Sequence, residues 1–167
     1  MPSSASSRRA PQALATGRGG LVLGADTVVA LDGRPLGKPR DAGEARTMLL
    51  ALRDRDHEVV TGVALAMEGA AGAEAAARTR VRMRAYTDDE VAAYIATGDP
   101  FDKAGGYAIQ HPHFRPVARI DGCYCNVVGL PLWTVRDLLR RLSPDLAPAR
   151  PSLAIARCAT CPLASAH

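Results

Sequence analysis

The chain has 167 residues, 47% of them hydrophobic and 23% charged, with a net charge of +4 and a pI near 9.1. That length suits one domain with a core of its own, and no run is apolar and long enough to cross a membrane. The moderately basic balance suits an anionic ligand, although many proteins share it, and aromatics at 4% lead us to expect a core of Leu, Val, Ile and Ala. Residues 1–20 are rich in Ser, Ala, Arg and Gly without periodicity. Two adjacent arginines there precede no hydrophobic run, so no secretory signal is expected and the location expected is cytoplasmic.

Leu21-Val22-Leu23 and Val28-Val29-Ala30-Leu31 read as buried β-structure, broken by Gly24-Ala25-Asp26-Thr27. Asp32-Gly33 signals a hairpin turn. Asp41 then caps a helix, with Glu44 completing a capping box and Ala45, Met48, Leu49 and Leu52 forming one apolar stripe. Residues 58–67 are β-rich, and residues 68–73 form a turn of small residues. Residues 79–86 alternate, with Val81, Met83 and Ala85 on one face and Arg80, Arg82 and Arg84 on the other. Thr87 and Glu90 form a second capping box, Val91, Tyr94 and Ile95 give that helix its inner face, and Gly98 ends it. Residues 117–120 read as a strand, Asp121-Gly122 as a turn, and residues 124–128 as another strand. Pro131 suits the first turn of a last helix with Leu132, Val135, Leu138, Leu139 and Leu142 inward, stopped at Ser143-Pro144. The Pro- and Ala-rich residues after it are expected to be loosely ordered. Mixed strands and helices make the class α/β or α+β.

Two polar blocks place a lysine and an acid beside glycines. One is Gly24-Ala25-Asp26-Thr27 followed by Gly37-Lys38-Pro39-Arg40-Asp41; the other is Asp102-Lys103-Ala104-Gly105-Gly106-Tyr107-Ala108-Ile109-Gln110. Glycine lets backbone N–H groups approach an anion, lysine supplies charge, and a carboxylate can hold a metal or activate water. Together the blocks suit a phosphorylated ligand.

With His57 to Leu65 and Asn126-Val127-Val128-Gly129-Leu130-Pro131-Leu132, these blocks resemble the Maf family of nucleoside triphosphate pyrophosphatases over residues 21–142. The resemblance implies an α/β elongated mixed sheet with flanking helices and a cleft between two lobes. It implies hydrolysis of a nucleoside triphosphate, pyrimidine or modified, to the monophosphate and pyrophosphate with a divalent cation, Mg²⁺ first and Mn²⁺ as its alternative. It assigns the proton-acceptor role to Asp26, a candidate general base or metal-orienting carboxylate, and an influence on base choice to Thr27 and Gln110. Lys38 and Lys103 are the candidate phosphate clamps, and Asp102 is a candidate second carboxylate near the metal. Ser4-Ala5-Ser6-Ser7-Arg8-Arg9 looks like the family's phosphate-binding loop, which would add Arg8 to the substrate site. Only residues 10–20 then stand where the family carries a longer segment with helices, an acid and a lysine. The expected division is therefore a shortened segment over 1–20, the pyrophosphatase domain over 21–142 and a tail over 143–167. A second reading keeps the fold but makes the chain a catalytically impaired nucleotide-binding or regulatory protein. The partner expected is the nucleotide, with no stable nucleic acid, no membrane and a homodimer as the family's common assembly.

Each residue also has a plainer reading. Asp26 alone could be a strand-end acid satisfied by N–H groups, Lys38 a solvated turn lysine, and the paired glycines a tight turn. The Arg80, Arg82 and Arg84 face lacks the aromatics of a nucleic-acid surface and reads as a solvated strand face. His111-Pro112-His113 reads as a loop rather than a metal site. Cys158 and Cys161 have metal-ligand spacing, and Cys123 and Cys125 could complete a four-thiolate zinc site only if the tail folds back.

Overall fold

The computed structural model describes residues 20–67, 69, 71–148 and 161. The described elements are β1 (Leu21–Leu31), β2 (Arg34–Leu36), α1 (Ala42–Leu52), β3 (Asp56–Met67), β4 (Ala73–Met83), α2 (Asp88–Ala96), β5 (Val117–Asp121), α3 (Tyr124–Val128) and α4 (Leu132–Leu142). The strands form a sheet in the order β2-β1-β3-β4-β5, with β2 antiparallel to β1 and β5 antiparallel to β4. This is the mixed α/β class expected. None of the described helices is long and apolar enough to cross a membrane. The chain divides into two compact units, and β1, β3 and β4 contribute residues to both.

The unit made of Val28–Val59 and Thr79–Asp121 is organised by local chemistry. Asp32 and Gly33 both adopt positive φ, at 51° and 75°, and Leu31 pairs with Arg34 across them. Those angles belong to the primed hairpin turn whose twist matches that of its strands. Asp41 caps α1 by accepting from the Glu44 N–H at 2.8 Å, but the expected box is only half formed. Glu44 turns outward and accepts from the Arg40 backbone and Nε, at 2.8 and 3.0 Å. At α2 the Thr87–Glu90 box is complete in both directions. Ala45, Leu49 and Leu52 are buried as expected, and α1 packs against α2. Arg46 and Arg53 of α1 both reach Asp88, and the Arg53 hydrogen bond is the main reason its carboxyl titrates below the usual range.

Aromatic rings carry more of this core than their number suggests. Tyr86, Tyr94, Tyr107 and Phe114 are all buried here. Tyr94 stacks on Phe114 at 4.4 Å between centroids, and the Tyr86 hydroxyl donates to the Leu49 carbonyl. Scarcity therefore did not mean peripheral placement. The alternating face also differs at one position: Val81 and Met83 are buried, but β4 ends at Met83 and Ala85 is exposed. A register shift at Arg82/Met83 ends the pleat, and the Arg84 N–H is taken by the Pro116 carbonyl.

The other unit contains residues 20–27, 60–67, 69, 71–78, 122–148 and 161 among those described. Here β1 is not broken: its ladder runs through residues 24–27, because Gly24 has no positive φ and the pleat continues past it. Alternation makes Leu21 and Leu23 exposed, contrary to expectation, while Val22 packs against Ala64 and Ala66. On another face of β3, Val63 and Leu65 meet Leu138, with Val135, Leu139 and Leu142 beside it. The inward stripe of α4 is thus realised, but Trp133 and Arg136 are buried too, with the guanidinium 5.3 Å from the indole centroid.

The expected strand over 124–128 is a helix, α3. Gly122 and Gly129 flank it at φ 131° and 118°, and the N–H groups of Gly129 and Leu130 both return to the Cys125 carbonyl. A left-handed glycine with such returning bonds closes a helix and overrides the β-preference of Val127 and Val128. Cys123 and Cys125 therefore lie at the start of a helix and not along a strand. Both are buried with Trp133 and Cys161 in one cluster, so the chain does fold back at residue 161. Burial pushes the Cys123 thiol up to about 11, with Cys161 against it. Of the tail expected to be loosely ordered, Pro144–Leu146 forms a short helical turn, while Cys158 and residues 149–160 and 162–167 lie outside the described residues, as do Arg8 and the serine-arginine segment.

Candidate active site

Asp26 and Thr27 are consecutive residues of β1, so their side chains leave opposite faces of the strand. Both are half-buried. Thr27 Oγ1 lies 2.9 Å from Thr61 Oγ1, and the Thr61 hydroxyl donates to the Asn126 carbonyl at 3.0 Å. A hydroxyl has one proton, so Thr61 spends it on Asn126 and Thr27 is the donor to Thr61. The Thr27 oxygen keeps its capacity to accept a further hydrogen bond. Gly129 closes against it: a Cβ there would stand 3.4 Å from Thr27 Oγ1. Thus Thr27, Thr61, Asn126 and Gly129 form one fixed support beside Asp26. Thr61 was not singled out in the sequence, and its only signal was a β-branched polar residue amid apolar neighbours.

In the other unit the two lysines come together. The Gly105 N–H donates to the Gly37 carbonyl at 2.9 Å, next to Lys38. Gly105 has φ 71°, and a Cβ would meet Val29 at 3.0 Å; Gly106 has φ 69° and packs on Pro39. Both backbone angles favour glycine, and at Gly105 the close approach of Val29 requires it as well. Lys103 Nζ donates to the Asp99 carbonyl at 2.8 Å and to Asp102 Oδ1 at 2.5 Å. Lys103, and more weakly Lys38, hold the Asp102 carboxyl below its usual range. Lys38 is exposed, so its ammonium is available to an anion, whereas Lys103 is anchored. Gln110 is exposed in a turn in which the His111 N–H donates to the Ala108 carbonyl at 3.2 Å. The structure thus brings Lys38, Asp102 and Lys103 together in one unit and Asp26 with Thr27 in the other.

Beneath this turn lies a residue pair that the sequence did not reveal. His57 Nε2 and the Tyr107 hydroxyl are 2.7 Å apart, and both side chains are buried. Burial lowers the His57 pKa to about 4, against a smaller opposing effect of Asp56, so the ring is neutral near pH 7. The Ala108 N–H donates to the Tyr94 hydroxyl at 3.1 Å.

Arg82, Arg84 and His111 have structural partners. Arg82 pairs with Asp54, and Arg84 pairs with Glu90 while donating to the carbonyls of Phe114 and Arg115. His111 Nδ1 accepts from the Phe114 N–H at 2.9 Å, and its ring lies against Tyr94. Among the described residues no group of three His, Cys, Asp or Glu side chains is gathered to hold a metal ion.

A model of the Maf-like protein family matches residues 3–142. The chain belongs to the Maf-like family. The dTTP/UTP pyrophosphatase of Thermomicrobium roseum is 51% identical over 150 residues, covering 89% of this chain and 68% of that protein. The dTTP/UTP pyrophosphatase of Citrifermentans bemidjiense is 51% identical over 133 residues, covering 79% of this chain and 68% of that protein. That of Dictyoglomus turgidum is 46% identical over 131 residues, covering 77% and 67%. This Maf-like chain thus spans about two thirds of the length of these relatives, each named dTTP/UTP pyrophosphatase.

Proposed function

We propose that this Maf-like protein hydrolyses a pyrimidine nucleoside triphosphate, of the dTTP or UTP type, to the monophosphate and pyrophosphate. The observation that carries the reading is 51% identity, over 89% of the chain, to a protein named for that activity. The local geometry supports it. Asp26 would take the proton of the attacking water as its oxygen bonds to the α-phosphorus, and the bond to the bridging oxygen breaks to release pyrophosphate. Lys38 and Lys103 would neutralise phosphate charge, the first as a free ammonium and the second as a fixed one. Arg8 would add a further cation. The Thr27 acceptor and the Gln110 amide would meet the nucleoside, a glutamine offering both donor and acceptor to a base edge.

A divalent cation, Mg²⁺ or Mn²⁺, fits this donor set. Asp102 offers hard carboxylate oxygens and is exposed, with Lys103 and more weakly Lys38 holding its carboxyl below the usual range. Mg²⁺ keeps several waters and takes phosphate oxygens, so it needs few protein ligands. When bound, the cation would supply charge neutralisation at the phosphates. The same reading gives the protein a cytoplasmic location, no stable nucleic-acid partner and a homodimeric assembly.

The test is pyrophosphate release from dTTP, UTP, dCTP, dATP and dGTP with Mg²⁺. Release from dTTP and UTP at least tenfold faster than from the purines is expected, an advantage of about 1.4 kcal/mol or more. Equal rates on all five would remove the base assignment. Release from none by folded protein would favour the impaired, nucleotide-binding reading.

A further inference from the structure

The turn over residues 103–110 carries two of the proposed substrate contacts, and among the described residues three bonds tie it to segments more distant in sequence. The Gly105 N–H reaches the Gly37 carbonyl, the Ala108 N–H reaches the Tyr94 hydroxyl, and Tyr107 reaches His57 across 2.7 Å. The first two are made by the backbone of the turn. The third is made by a side chain from within the turn to the start of β3, 50 residues away in sequence. His57 is 3% exposed and Tyr107 6%, and the rings meet edge to face at 5.4 Å between centroids. A polar pair so buried keeps its geometry, because separating the partners leaves each desolvated without a substitute. Gly105 and Gly106 on one side of Tyr107 have left-handed angles that glycine leaves broadly accessible, so their backbone alone does not hold the turn.

We propose that His57 is a positioning residue for the substrate turn, acting through the Tyr107 hydroxyl to fix the backbone that presents Lys103 and Gln110. It touches neither phosphate nor base. The proposal rests on the reading of residues 103–110 as a nucleotide contact, and it adds that base choice depends on this buried pair. Tyr107→Phe removes one oxygen and keeps the ring, so it is the least disruptive probe. His57→Leu removes the partner, and His57→Gln restores an amide able to reach the hydroxyl.

The experiment compares these three full-length variants with wild type by amide hydrogen exchange over residues 105–110 without nucleotide, then by KM and kcat for dTTP and dCTP. Tyr107→Phe and His57→Leu should speed exchange in that segment about 3- to 10-fold, the effect of one lost hydrogen bond. They should raise KM for dTTP by a similar factor, change kcat less, and narrow the dTTP-to-dCTP ratio. His57→Gln should recover part of each. Wild-type exchange and KM in Tyr107→Phe would overturn the proposal, even if His57→Leu failed to fold. Absence of turnover in wild type would count against the proposed function alone. The exchange data would then decide whether the pair holds the turn.

Discussion

Two glycine-containing segments of this protein, residues 102–107 and residues 123–129, behave differently under the same reading. The first is a tight turn in which each glycine occupies a left-handed angle, as its local sequence demands. The second has the composition of a strand, with two adjacent valines, yet forms a helix closed by Gly129. In the first, short-range chemistry and tertiary contact agree. In the second, closure at Gly129 and Leu130 onto the Cys125 carbonyl, with the distant Thr61 hydroxyl donating to the Asn126 carbonyl, overrides the valines. Propensity describes a segment only until a buried polar partner is offered to its backbone.

The largest stability effect is expected from breaking the first segment. Gly105→Ala forces a Cβ to 3.0 Å from Val29 at φ 71°, combining strain with overpacking. A loss of roughly 2–4 kcal/mol is expected. Chemical denaturation measures it, and a loss below about 0.5 kcal/mol would mean the turn does not require glycine there.

The His57 contribution comes next and appears as a pH slope. The folded pKa is about 4 against an ordinary 6.5, so between those values the unfolded chain binds the proton and the folded one does not. Stability from this group is therefore complete above pH 6.5 and is lost as pH falls toward 4, by about 3 kcal/mol in all. His57→Gln should flatten that part of the acid limb. An unchanged slope in the variant would show that the ring titrates normally.

The second segment is probed by Thr61→Val, which keeps shape and removes the hydroxyl shared by Thr27 and Asn126. A cost of about 1–2 kcal/mol is expected. The ratio of dTTP to dCTP turnover should move as well, since Thr27 loses its fixed orientation. The smallest effect should come from Thr87→Ala, which removes a cap formed entirely by local residues. A melting curve should report about 1 kcal/mol, with nucleotide preference unaltered. If Thr87→Ala moved preference as much as Thr61→Val, the distinction between support and scaffold would collapse.

Much of the fold was legible in the sequence because its cues were local. The Asp32-Gly33 turn, the Thr87 box, the Gly98 stop and the apolar stripe of α1 need only their neighbours. The candidate residues were legible through resemblance, and the structure adds which of them lie in one unit. Asp26 carries no local mark of function, since an acid in a strand looks the same whether or not water is bound beside it. His57 and Tyr107 were not legible as a pair at all, for nothing in either segment indicates a partner 50 residues away. Glu44 shows the same limit at short range: its spacing from Asp41 suits a box, but Arg40 offers both a backbone N–H and a guanidinium.

The most direct measurement is pyrophosphate release from dTTP by wild type beside Asp26→Asn, with both shown to be folded by their melting curves. The account predicts release by wild type and a fall of about 10²- to 10⁴-fold in the variant, the size of a lost general base. Equal turnover by the two proteins would contradict it.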